Sequence, residues 1–120
     1  MTQVVYITGR GHSGSTLLAL LISGHSRVIS AGELKMLVHN DARQRLCSCH
    51  RLEPEQCPFW SQVQAMVMDQ LGLPLRQLEL TDQGDAATFA RHNAVLFTAI
   101  AAVSGCSVVV DSSKSLPRLC

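Results

Sequence analysis

Residues 9–16 of this 120-residue chain, Gly9-Arg10-Gly11-His12-Ser13-Gly14-Ser15-Thr16, constrain its fold more than any other stretch. Three glycines, three hydroxyl side chains and two basic side chains share eight positions. Residues 4–8 before them read VVYIT, a β-branched and aromatic run suited to a strand buried on both faces, as in a parallel sheet. Residues 15–23 after them read as a helix. Leu17, Leu18, Leu20, Leu21 and Ile22 make it apolar nearly all round, so it is expected at the centre of the domain, with Gly24 as its stop.

A glycine-rich turn between a strand and a helix is the setting of a phosphate loop. The glycines let successive N–H groups point inward as an anion nest. The start of the helix adds unpaired N–H groups and the positive end of its dipole. Ser13, Ser15 and Thr16 can donate hydroxyl bonds to the same oxygens, while Arg10 and a protonated His12 supply charge. The spacing Gly9–Gly14–Ser15–Thr16 matches G-x-x-x-x-G-K-[ST] except that serine stands where lysine belongs. That lysine reaches the terminal phosphates in nucleoside triphosphatases, so its loss disfavours a magnesium-dependent ATPase or kinase.

The rest of the chain alternates strands with helices. Residues 28–30 are a short second strand and 33–46 a helix carrying Leu34, Leu37, Val38 and Leu46. Residues 47–58 form a loop dense in cysteine and proline. Residues 60–71 are helical and broken by Gly72-Leu73-Pro74. Residues 85–104 are the longest helical stretch, ended by Gly105. Residues 107–110 are a third strand, closed by Asp111-Ser112-Ser113. This order predicts a single α/β domain over 1–120, a parallel sheet flanked by helices and of P-loop type, with a Cys-rich insert at 47–60. Three strands are few for such a sheet, so the domain reads as cut short, with an exposed edge through which copies could associate.

Composition narrows the function further. The chain is 47% hydrophobic and 16% charged, as a globular domain is, and its net charge of +1 gives no general affinity for nucleic acid or anionic membrane. Aromatic residues are too sparse for base stacking. The run Leu17–Ile22 is too short to span a bilayer, and MTQVVYITG lacks the basic leader of a secretory signal. Five cysteines (47, 49, 57, 106 and 120) without a secretory context point to reduced thiols and a cytoplasmic protein. Cys47, Cys49, His50 and Cys57 are of the type zinc prefers, though C-x-C-H is not the usual paired spacing. A disulfide between Cys47 and Cys49 or Cys57, or a loop of unpaired thiols, are the other readings. His25, His39 and His92 read as surface or packing residues.

Four segments together resemble a known family. GRGHSGSTLL is similar to the 5′-phosphosulfate loop of bacterial sulfotransferases that use 3′-phosphoadenosine 5′-phosphosulfate (PAPS). Ala31-Gly32-Glu33 resembles the G-E element that follows the loop helix in the tyrosylprotein branch. Cys47-Ser48-Cys49-His50 through Cys57-Pro58-Phe59-Trp60 resembles a C-x-C…CPFW insert, and Val109–Lys114 with Pro117-Arg118 a V-D-S-S-K…P-R segment. The resemblance implies that Arg10, Gly11, His12, Ser13, Gly14, Ser15 and Thr16 bind the 5′-phosphosulfate of PAPS. It implies sulfuryl transfer to an acceptor that the sequence does not name. Glu33 is then the candidate base, Lys114 the candidate stabiliser of the leaving bridge oxygen, and His12 a donor to sulfate oxygens. Such transfer resembles phosphoryl transfer in its demands, and side chains with helix-end N–H groups can meet them without a metal.

Each assignment has a plainer counterpart. Glu33 can simply favour the N-terminus of the helix that follows, and Lys114 can be a solvated surface lysine. Asp111 resembles the strand-ending acid that binds magnesium in nucleotidases, but without the loop lysine it reads as ordering Ser112 and Ser113 through local hydrogen bonds. Family members continue into an Arg-Asp-x-Arg-like segment and a serine that bind the 3′-phosphate, and neither follows Cys120. Each missing charge-assisted contact forfeits about 1.5–3 kcal/mol, so weak binding and poor activity are expected of this chain alone. The alternatives are a P-loop nucleotide-binding module and a non-catalytic remnant.

Overall fold

A computed structural model describes residues 2–7, 18, 21–22, 24–38, 57–81 and 84–113. Among them are three strands: β1 (Gln3–Tyr6), β2 (Val28–Ser30) and β3 (Val108–Asp111). They form one parallel sheet in the order β1-β3-β2. β3 pairs Val108 with both Gln3 and Val28, and Val110 with both Val5 and Ser30, so all three strands run out at the same end. The α/β class and the parallel sheet expected from the sequence are both present.

The strand order decides which face each connection covers. The path from β1 to β2 passes over the place of β3, and the path from β2 to β3 comes back. Right-handed crossovers in opposite directions put their connections on opposite faces of the sheet. Side chains divide accordingly, since neighbours along a strand point to opposite faces. Val110 clusters with Ile7, Ile22 and Val28 on one face. Val109 and Ile29 join the larger core on the other, beneath α1 (Pro58–Leu71) and α2 (Ala86–Ser104).

α1 starts two residues earlier than the sequence pattern suggests, with Pro58 in its first turn and Cys57 as its N-cap. Proline suits that place because an N–H there would have no intrahelical acceptor. α2 is capped by Asp85, whose Oδ2 accepts from Thr88 N and from Thr88 Oγ1, both at 3.0 Å. Gly72 and Gly105 end the two helices in left-handed conformation, their N–H groups donating to Met68 O and Ala101 O. The helices pack together over Val63, Val67, Leu96 and Ile100, all fully buried. α2 is long and apolar enough to cross a membrane by length and composition, which the run Leu17–Ile22 is not. Here it packs through Phe89, Asn93, Leu96, Ala99 and Ile100.

Several sequence expectations need correction. β1 is not buried on both faces: Val4 is 44% and Val5 39% exposed. The strand order puts β1 at an edge and gives the buried central place to β3. The helix after the glycine loop is not buried all round either, because Leu18 is 47% and Leu21 70% exposed while Ile22 packs on the sheet. Of the helix expected over residues 33–46, Leu34–Val38 is helical but in 3₁₀ form. Its buried residues, Leu34 and Leu37, are three apart, the repeat that a three-residue turn stacks on one face. Residues 39–46 lie outside the described residues. A further 3₁₀ turn, Leu75–Gln77, has no counterpart in the sequence reading. His92 takes the packing role of its two readings: its Nδ1 accepts from Glu79 N at 2.9 Å, and Asn93 Nδ2 donates to Glu79 O at 3.3 Å, tying the stretch before α2 to that helix.

Candidate functional site

The carboxyl ends of the three strands meet at one edge of the sheet, the place where open parallel sheets bind ligands. β1 leaves that edge through Ile7, whose N–H donates to Asp111 O at 2.8 Å. The exit of β1 is therefore tied to the end of β3. β2 leaves through Ala31 and Gly32. Ala31 N donates to Val110 O at 2.9 Å, and Ser112 N donates to Gly32 O at 2.9 Å. The end of β3 is thus bonded on one side to the exit of β1 and on the other to the Gly32-Glu33 pair.

Asp111 is the hub of this edge and is fully buried. Its Oδ1 accepts from Ser113 Oγ at 2.6 Å, from Ser113 N at 3.0 Å and from Leu34 N at a long 3.4 Å. The first two bonds are the local ordering that the Asp-Ser-Ser spacing suggests. The third spans 77 residues, and a fourth bond does the same work: Lys35 N donates to Ser113 Oγ at 3.1 Å. Asp111 and Ser113 therefore satisfy two N–H groups at the start of the 3₁₀ turn, which every helical start must place somewhere. Sequence reasoning missed Ser113 as an anchor because nothing local marks a bond to a residue 78 positions away.

Gly32 shapes the approach to Glu33. Its φ is +74°, and a Cβ built there would have nothing within 4 Å. Substitution would therefore be opposed by backbone conformation and not by crowding. Gly32→Ala is expected to cost about 1–2 kcal/mol, the left-handed penalty of an L-residue, with no rearrangement of neighbours. Chemical denaturation of the two proteins checks this, and a loss under about 0.5 kcal/mol would contradict the conformation.

Glu33 follows as an exposed residue whose carbonyl accepts from Met36 N at 2.9 Å, the first bond of the 3₁₀ turn. It thus stands at the N-terminus of a turn, as its plainer reading has it, and also at the carboxyl edge of the sheet. Arg10, Gly11, His12, Ser13, Gly14, Ser15 and Thr16 lie outside the described residues, as does Lys114, one position beyond Ser113. Cys47, Cys49 and His50 lie outside them too. Cys57 is buried in the main core. No cluster of three metal-ligating side chains occurs among the described residues.

No family model, curated protein or solved structure matches this chain.

Proposed function

We propose that this chain is a sulfotransferase-type domain of P-loop character that holds the 5′-phosphosulfate end of PAPS for sulfuryl transfer to an acceptor. The observation that carries the reading is the bonding of Ile7 N to Asp111 O and of Ser112 N to Gly32 O. Through it, Ile7, the Gly32-Glu33 pair and Ser113 stand at one edge of a parallel sheet; in sequence, the glycine-rich segment follows the first and Lys114 the last. Four sequence segments resembling the family, in the family's order, supply the chemistry of the reading.

In this reading Arg10 to Thr16 bind the phosphosulfate through backbone N–H groups, hydroxyls and charge. Glu33 takes the acceptor's proton, Lys114 stabilises the bridge oxygen as it leaves, and His12 donates to the sulfate. The serine at position 15, where a nucleotidase loop carries lysine, speaks against the rival nucleotidase reading. The acceptor is a molecule the chain does not identify, and the exposed edge strand supports self-association as a second kind of contact.

Isothermal titration with 3′,5′-bisphosphoadenosine tests this reading directly. Binding without magnesium is expected, and a Ser15→Ala, Thr16→Ala double variant should weaken it by about a hundred- to ten-thousandfold through two lost hydrogen bonds to charged oxygens. Equal binding by the double variant would remove the loop from the site.

A further inference from the structure

We propose that Ser113, oriented by the Asp111 carboxyl group, is a positioning residue for Glu33; this rests on the sulfotransferase reading and names the device that holds its base. Ser113 has one hydroxyl proton, and at 2.6 Å from Asp111 Oδ1 that proton is committed. A lone pair is then left to accept from Lys35 N at 3.1 Å. The hydroxyl is therefore fixed in direction, not a rotor that swings between partners.

The origin of the cap is what distinguishes it. A helical start is commonly capped by its own N-terminal side chain. Here acceptors for Leu34 N and Lys35 N come from Asp111 and Ser113, both fully buried and both at the end of the central strand. Burying polar groups there is costly unless they are bonded, and these are bonded to the residues just after Glu33. Gly32, just before it, accepts from Ser112. The backbone is thus pinned to β3 on both sides of Glu33, which leaves an exposed carboxylate at a repeatable place relative to whatever sits beyond the strand ends. Functional groups held by buried partners on rigid elements are those whose geometry survives thermal motion.

The test uses the full chain with PAPS and water as the acceptor, at excess protein. The bond between sulfur and the 5′-phosphate bridge oxygen breaks and a bond from sulfur to the water oxygen forms. Glu33 takes one of the water's protons, the bisulfate so formed loses the other to solvent, and 3′,5′-bisphosphoadenosine and sulfate leave. Ser113→Ala is expected to slow this about ten- to a hundredfold through misplacement of the base. Affinity for 3′,5′-bisphosphoadenosine should stay within about twofold, since the loss falls on the transition state alone. Ser113→Thr, which keeps the hydroxyl, should restore most of the rate. In a Glu33→Gln background, Ser113→Ala should add almost nothing, because both act through one group.

Additive losses, or a parallel loss of bisphosphate affinity, would make Ser113 a structural cap only and overturn the proposal. Bisphosphate binding without any consumption of PAPS by the unmodified chain would overturn it by removing Glu33 as a base, while leaving the binding half of the reading intact. Absence of both would bring down the sulfotransferase reading itself and the proposal with it. If Ser113→Ala does not fold, Asp111→Asn carries the same test with a smaller loss of rate, because it keeps the Oδ1 acceptor and weakens its bond to the hydroxyl.

Discussion

Replacing Asp111 by alanine is expected to cost about 3–5 kcal/mol of stability, read as a lower urea midpoint at unchanged slope. The side chain is fully buried, and its Oδ1 accepts from two N–H groups and one hydroxyl. Each buried donor left without an acceptor costs about 1–3 kcal/mol, and the longest of the three bonds, from Leu34 N, contributes least. The figure measures truncation, including the groups left stranded, and not the worth of the bonds alone. Domains of this size hold about 5–15 kcal/mol in total, so the variant should be close to unfolding at modest temperature. Asp111→Asn keeps an oxygen in place and should lose only about 1–2 kcal/mol. A loss under about 1 kcal/mol for the alanine variant would mean that the end of β3 is not held as described.

The second large effect separates two leucines that look alike in the sequence. Leu96→Ala should cost about 2–5 kcal/mol, because Leu96 is fully buried in the main core and its removal leaves a cavity. Leu21→Ala should change stability by less than about 0.5 kcal/mol, because Leu21 is 70% exposed. Thermal unfolding of both variants reads the difference. Equal losses would show that Leu21 is covered in the folded protein and that the helix after the glycine loop is central after all.

Those two residues mark where the sequence was legible and where it was not. Signals that act within a few residues survived: β2 is found at Val28–Ser30, and α2 runs between its Asp85 cap and Gly105. Such features depend on local hydrogen bonds and on glycine's access to positive φ, both properties of a short window. Burial did not survive as well. VVY in β1 and VVV in β3 carry the same apolar signal, but only the strand order tells which is central, and that order is a property of the whole sheet. The turn at Leu34–Val38 failed for a related reason. Its start is fastened by Asp111 and Ser113, acceptors 77 and 78 residues away, and no periodicity in the segment reports them.

At the candidate site the division is similar. The Asp-Ser-Ser spacing announced local bonding around Asp111, and the positive φ of Gly32 accords with the need for glycine before Glu33. That these two stretches are bonded to each other was not legible, because it requires β2 and β3 to be neighbours. The chemical identity of the site still rests on residue types and their order along the chain.

The most direct measurement is a thermal-shift titration of the purified chain with 3′,5′-bisphosphoadenosine, set against ATP with magnesium. A ligand that binds only the folded state raises its stability by an amount that grows with the logarithm of concentration, about 2.7 kcal/mol at a hundred times the dissociation constant. The account predicts a rising shift with the bisphosphate in the absence of magnesium and a smaller one with magnesium ATP. A larger shift with magnesium ATP, or none with either on a chain shown to be folded, would contradict it.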